Sequence, residues 1–361
     1  LRLGAGALTQ DISTYFERIT ADDVMIFTRD LHTLVSAGLP IDKCLSILVN
    51  VAEKEKVRQM IRGLRKRVES GSSLSEALAQ YPKVFPNLYI NMVRAGEMGG
   101  VLPSILDRLS EFLENAKELR DYIKSAMIYP LFLAFVGGVS IIILLTFVIP
   151  KFSVIFSDMG GALPVSTQML LALSSAIRRY WWLMMLIFAG IVYGFRRYGQ
   201  TQKGRHKIDS AKLSAPIFGK LVQAVEIARF SRTLGTLAQS GVPILQALHL
   251  SRDIVTNRII VDALSEIHDR VQKGDRLSVP MQQAQIFPPL AVQMISVGEE
   301  TGELDSMLLR VAQNYEKVVR NMVKRFVNIL EPVMILVMGV LVGFIVISML
   351  MAVFSINEVP F

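Results

Sequence analysis

The sequence predicts an all-α membrane protein in which one helical module occurs twice, each copy running into a transmembrane helix, with a third transmembrane helix between them. Three observations carry this: long apolar runs without charge, an internal repeat at an offset of 203 residues, and helical periodicity with almost no strand-like alternation. Composition points the same way. With 52 % apolar and 19 % charged residues the mean hydropathy is +0.42, so part of the apolar surface is expected to face lipid. The 361 residues suffice for two or three domains, and the single cysteine, Cys44, excludes an internal disulfide framework and a Cys-rich zinc site.

Residues 1–21 read as an N-terminal linker, and a chain opening at Leu1 rather than Met is expected to lack some preceding sequence. Copy 1 of the module occupies 22–124. Thr20 to Asp23 offers a capping box, followed by one apolar stripe of Phe27, Leu31, Leu34 and Val35. Gly38 then ends that helix and Pro40 starts the next in a tight turn. A basic helix over Lys54 to Val68 ends near Gly71, and Ser73 to Glu76 is a second capping box opening a short helix to Gln80. Leu102, Leu106, Leu109, Leu113 and Ala116 step by 4, 3, 4, 3, a heptad seam with no helix breaker before Pro130.

Copy 2 occupies 227–331. FTRDLHTLVSAGLPI (27–41) lies over FSRTLGTLAQSGVPI (230–244) with eight identities in fifteen, where chance gives about one. Gly241 and Pro243 repeat the turn, and Gly71 and Leu74 match Gly274 and Leu277. After one deletion Phe85-Pro86 match Phe287-Pro288, and Pro130 matches Pro332. The seam recurs as Leu304, Leu308, Val311, Tyr315, Val318 and Met322.

Charge-free runs of 26 residues at 125–150 and 332–357 define transmembrane helices 1 and 3. Each reaches about 39 Å as a helix, against a hydrocarbon core of about 30 Å. Residues 180–195 give transmembrane helix 2; at 16 residues it spans if its flanking arginines snorkel. Residues 151–179 read as an extracytoplasmic loop and 196–226 as a cytoplasmic linker. Lys117, Arg120 and Lys124, the cluster from Arg196 to Lys212, and Lys317 to Arg325 all fall on one side, which the positive-inside rule makes cytoplasmic. The N-terminus is then cytoplasmic and the C-terminus outside. Residues 196–331 hold 19 basic and 13 acidic residues, so most of the net charge of +8 lies beside the membrane. No basic stripe with interleaved aromatics suggests nucleic acid.

Little catalytic chemistry is legible. Gly219-Lys220 lacks the rest of a phosphate-binding loop, and GAGAL (Gly4 to Leu8) lacks the third glycine of a dinucleotide site. His32, His206, His249 and His268 stand apart in the sequence and read as surface or satisfied side chains. No convergent acid, base or metal set appears, so neither an enzyme nor a cofactor is expected. The repeated G-E-x-x-G-x-L is the best candidate for a special site: Gly96, Glu97 and Gly100, then Gly298, Glu299 and Gly302. The glutamates, with Glu300, could bind a divalent cation or a basic partner. Alternatively the glycines shape a turn and the glutamate sits at the start of the long helix, favourable to its dipole.

The duplicated F-[ST]-R-x-L-x-T-L-x-x-[SA]-G-[LV]-P-I, the duplicated G-E-x-x-G-x-L, AMIYP at 126–130 and ALPVSTQ at 162–168 resemble the type II secretion F and type IV pilus platform proteins of the bacterial inner membrane. The match runs from about Asp22 to the end, and departs from the family at the N-terminus, where members carry a further stretch. The resemblance implies two cytoplasmic six-helix bundles and a non-enzymatic role in type II secretion or type IV pilus assembly. It implies contact with a cytoplasmic assembly ATPase, pilin or pseudopilin transmembrane segments and other platform proteins, and homo-oligomerisation. A transporter or permease subunit is the alternative from another class; it would need the charged groups inside the spans that this sequence lacks.

Overall fold

Local chemistry sets most element boundaries in the computed structural model, which describes residues 18–158, 164–216 and 218–357. The GAGAL fragment, most of the N-terminal linker and the first two residues of ALPVSTQ lie outside them. Thr20 and Asp23 form the expected capping box at the start of α1 (Ala21–Ser36). Gly38, at φ 81°, ends it: the Gly38 N–H donates to Val35 and that of Leu39 to Leu34, a Schellman turn. Pro40 is the residue before α2 (Ile41–Val51), and its carbonyl accepts the first helical bond, from Cys44. α3 (Glu55–Glu69) follows, and Ser73 with Glu76 boxes the start of α4 (Leu74–Leu78). α5 (Asn87–Gly99) and α6 (Leu102–Ile143) complete copy 1.

A π turn at Leu144–Val148 carries α6 into α7 (Ile149–Asp158). α8 (Val165–Gln200) and α9 (Gln202–Ser214) connect to copy 2. That copy repeats the six elements as α10 (Phe218–Gln239), α11 (Ile244–Ile254), α12 (Arg258–Gln272), α13 (Ser278–Gln283), α14 (Pro289–Thr301) and α15 (Leu304–Asn357). No strand occurs among the described residues.

The chain divides into two compact units. One holds the chain up to Arg120 with Lys212–Val319, and thus the helical parts of both copies. Their apolar side chains form one continuous core, in which Phe27–Phe85 and its equivalent Phe230–Phe287 sit with ring centroids 5.8 and 5.7 Å apart. The glycines at positive φ pair off by the repeat: Gly38 with Gly241, Gly71 with Gly274, Gly100 with Gly302. Arg108 of copy 1 donates to the Gln239 carbonyl of copy 2, so the two modules are also pinned by a polar contact.

The second unit holds Asp121–Ala211 and the chain from Arg320 onward. It contains the apolar stretches of the three helices long and apolar enough to cross a membrane. α6 and α15 continue through Pro130 and Pro332, at 42 and 54 residues about 63 and 81 Å long. Neither proline can donate to the carbonyl four residues back, Ala126 or Asn328. α6 and α15 pack side by side and run the same way: the Tyr122 hydroxyl donates to the Arg320 carbonyl (3.2 Å) and that of Tyr129 to Glu331 (3.1 Å), and Gly137 lies against the Met338 thioether. α8 packs across their far ends, where Leu170 meets Leu145, Ile149 and Ile345, and the Thr167 hydroxyl donates to the Ser348 carbonyl.

Three details differ from expectation, the first being that the opening helix of copy 2, expected from 227, begins at Phe218 inside the stretch 196–226 read as a linker. The segment 151–179, expected as a loop, is helical over 149–158 and from Val165, and α8 extends on both sides of the 16-residue apolar run. The extension carries Thr167 and Leu170, the residues by which α8 meets α6 and α15. The heptad seam holds at Leu308 and Val311 and then drifts, burying Val319 and Val323 while Val318 and Met322 are half-buried. Eleven residues from Leu308 to Val319 correspond to about 3.67 per turn, the period of a helix without left-handed supercoil. In α6, Leu113 is half-buried and Ala116 exposed.

Candidate functional site

The repeated G-E-x-x-G-x-L turn joins α5 to α6 and α14 to α15, and each of its positions has a distinct physical reason. At Gly96 a β-carbon would stand 2.8 Å from Ile105 and 3.2 Å from the Leu102 backbone; at Gly298 it would stand 2.9 Å from Met307 and 3.0 Å from Leu304. The first glycine is therefore the point where the two helices approach too closely for a side chain. Gly100 and Gly302, at φ 66° and 76°, take the left-handed conformation that ends the helix.

The glutamate does something that neither sequence reading anticipated. Glu97 lies near the C-terminal end of α5, and its carboxylate turns away from the long helix to cap α4. It accepts from the N–H groups of Leu74 (2.5 Å) and Ser75 (3.1 Å). In copy 2 Glu299 accepts from the N–H of Leu277, the N–H of Ser278 (3.0 Å) and the Ser278 hydroxyl (2.5 Å). An anion is thus held against the unpaired amides of a short helix. Its partners lie more than twenty residues away, beyond any local motif. The available signal was the shared period, since Leu74 and Leu277 recur with nearly the same offset as the glutamates. Glu300, by contrast, is exposed and lies 4.0 Å from Arg276.

Asp23 and its repeat equivalent Glu226 form a second pair of anchors. Asp23 accepts two hydrogen bonds of 2.7 Å from Lys54. Burial would push its carboxyl up, but donors on Lys54 and Thr20 outweigh it and hold the group below the ordinary carboxylate range. Glu226, buried, accepts from the Thr256 N–H (3.1 Å) and hydroxyl. Both tie the first helix of a copy to the loop after its second.

The copies also differ. Arg232 forks onto Glu316 with three bonds of 2.7–3.0 Å, both side chains being largely buried at 13 % and 16 % exposure. The equivalent Arg29, 53 % exposed, lies 3.6 Å from Asp30. Where copy 2 has Gly235 packed against Leu308 and Leu309, copy 1 has His32, with Nδ1 3.1 Å from the Pro103 carbonyl and Nε2 3.5 Å from Asp107.

His249 and His268, far apart in sequence, meet edge to face at 6.3 Å. Cys44 is buried, its thiol pushed up by burial and donating to the Leu39 carbonyl. Among the described residues no three His, Cys, Asp or Glu side chains are grouped to hold a metal ion. The ten repeat positions fall in two turns in each copy, Gly38-Pro40 with Gly96-Glu97-Gly100 and Gly241-Pro243 with Gly298-Glu299-Gly302.

Comparison with known proteins follows the same duplication. Residues 27–150 and 230–352 each match the family described as Type II secretion system (T2SS), protein F. A type IV pilus assembly protein PilC of Thermus thermophilus is 40 % identical over 336 residues, 92 % of this chain and 82 % of the relative. A type II secretion system protein F of Xanthomonas campestris is 37 % identical over 333 residues, 92 % and 82 %. A PilC of Myxococcus xanthus is 36 % identical over 341 residues, 94 % and 82 %.

Proposed function

Because this chain belongs to the type II secretion system protein F family, we propose that it is a non-enzymatic platform protein of the bacterial inner membrane. In this reading it couples a cytoplasmic assembly ATPase to the insertion of pilin-like subunits into a growing filament. The observation that carries the coupling is helix continuity: α6 and α15 run unbroken from the repeated turns through Pro130 and Pro332. A helix transmits a push or a rotation along its axis, whereas a loop absorbs it. The clusters Lys117, Arg120, Lys124 and Lys317 to Arg325 favour a cytoplasmic location for the helical unit, with the N-terminus inside and the C-terminus periplasmic. Homo-oligomerisation and contacts with other platform proteins belong to the same proposal.

The test is a Gly-Gly insertion between Lys117 and Lys124, with an Ala-Ala insertion at the same point as control. Both shift the register equally, and only the first adds flexibility. Filament assembly should fall further with Gly-Gly than with Ala-Ala while both proteins still insert in the membrane. Unimpaired assembly with Gly-Gly would sink the relay.

A further inference from the structure

The junction of α6, the π turn and α7 with α8 encloses a groove of about 590 Å³ whose walls include Phe147, Val154, Ile177 and Trp181 and whose cations are Lys151 and Arg178. We propose that this groove is a phospholipid site, in which an anionic headgroup sits between Lys151 and Arg178 and an acyl chain lies along the apolar wall.

Charge, position and shape converge on that occupant. Among the described residues that line the groove the charged side chains are Lys151 and Arg178, both cationic, and the rest of the lining is mostly apolar. Neighbouring Arg179 is turned over the Tyr180 ring, at 5.9 Å, and is not part of the lining. Lys151 directly follows the first charge-free run, and Arg178 lies two residues before the second. That first run is 26 residues long, so it exceeds the hydrocarbon core by about 9 Å, or about six residues. The groove therefore falls at the depth where headgroup phosphates meet acyl chains. A tryptophan at the same level suits that boundary. The π turn adds a residue to the wall and brings Thr146 and Phe147 to the groove together. A free phosphate would satisfy the cations and leave the apolar wall unused; a phospholipid uses both.

The chain has two tryptophans, Trp181 and Trp182, so Trp182→Phe leaves a single fluorophore in the wall of the groove. The full chain carrying that substitution is reconstituted in phosphatidylcholine bilayers with a low, equal fraction of either phosphatidylglycerol or phosphatidylcholine brominated on its acyl chains. Two cations near the surface, each contributing about 1 kcal/mol, correspond to an enrichment of the anionic lipid of about tenfold to thirtyfold at 1.4 kcal/mol per decade. Brominated phosphatidylglycerol should therefore quench Trp181 more strongly. Adding Lys151→Gln and Arg178→Gln should remove the preference and leave quenching by brominated phosphatidylcholine unchanged, which shows the helix still in the bilayer. Equal quenching by the two lipids, or a preference that survives the neutral substitutions, overturns the proposal. So does reversal of the preference by inorganic phosphate at the ionic strength of a chloride control, which would mark a small-anion site.

Discussion

Replacing Glu97 by alanine strips two backbone amides of their acceptor at the start of α4. The amides of Leu74 and Ser75 lie 2.5 and 3.1 Å from the carboxylate, and both residues are buried. Hydrogen bonds to a charged group contribute about 1.5–3 kcal/mol each. Glu97 is itself only half-buried, so water replaces part of the loss and a total of about 2–3 kcal/mol is expected. Glu97→Gln keeps one acceptor oxygen and should lose about 1 kcal/mol. Amide hydrogen exchange of the detergent-solubilised chain reads this locally: Leu74 and Ser75 should exchange about tenfold faster for every 1.4 kcal/mol of lost local stability. The parallel substitution Glu299→Ala should act on Leu277 and Ser278. The competing role, cation binding, predicts that a divalent ion stabilises the unaltered chain and has no effect on Glu97→Ala. Either that result, or unchanged exchange at Leu74 and Ser75, would refute the capping role.

Gly96→Ala and Gly298→Ala should each destabilise by about 1–3 kcal/mol through overpacking, whereas Gly99→Ala, whose nearest neighbour is Val101 at 3.3 Å, should be far milder; thermal melts of the three variants decide this. Arg232→Gln leaves Glu316 largely buried without its fork and should cost about 3 kcal/mol or more, while Arg29→Gln should change stability by less than about 1 kcal/mol; denaturant titration separates them. Asp23 has a depressed carboxyl in the folded chain, so its contribution is complete above the unfolded value of about 4 and is lost as pH falls through the lower folded value. Asp23→Asn should therefore be less stable than the parent above about pH 4 and approach it in acid, as melts across pH would record.

What the sequence disclosed was whatever physics acts over a few residues or repeats down the chain. The capping boxes at Thr20 and Ser73 are pairs three residues apart, and both form. The turns at Gly38 and Gly241 need a residue tolerant of positive φ just past a helix, and a glycine before a proline says so directly. Less was visible where the partner is remote. Glu97 is legible as an unusual acid in a repeated turn, but its target is set by how α5 packs on α4, which no spacing encodes. The seam of α15 misled for a related reason. Apolar side chains every three and four residues fit both a supercoiled and a straight helix for two turns, and separate only by Val318 against Val319. Asp23 and Glu226 were hidden because the first ties down a lysine and the second a threonine, so the anchor recurs while its chemistry changes.

The pairing of α6 with α15 carries a further consequence. Tyr129 meets Glu331, and Gly137 meets Met338, so each residue lies beside the place of its own duplicate about two hundred positions on. Two separate copies of one helix would pair this way in a parallel homodimer, and every substitution would then strike both strands. Fusion into a single chain lifts that restriction. One strand can carry glycine where the other carries methionine, and a third helix can lie across one end without needing a twin. The pair retains a dimer's geometry while its two sides are free to become different surfaces.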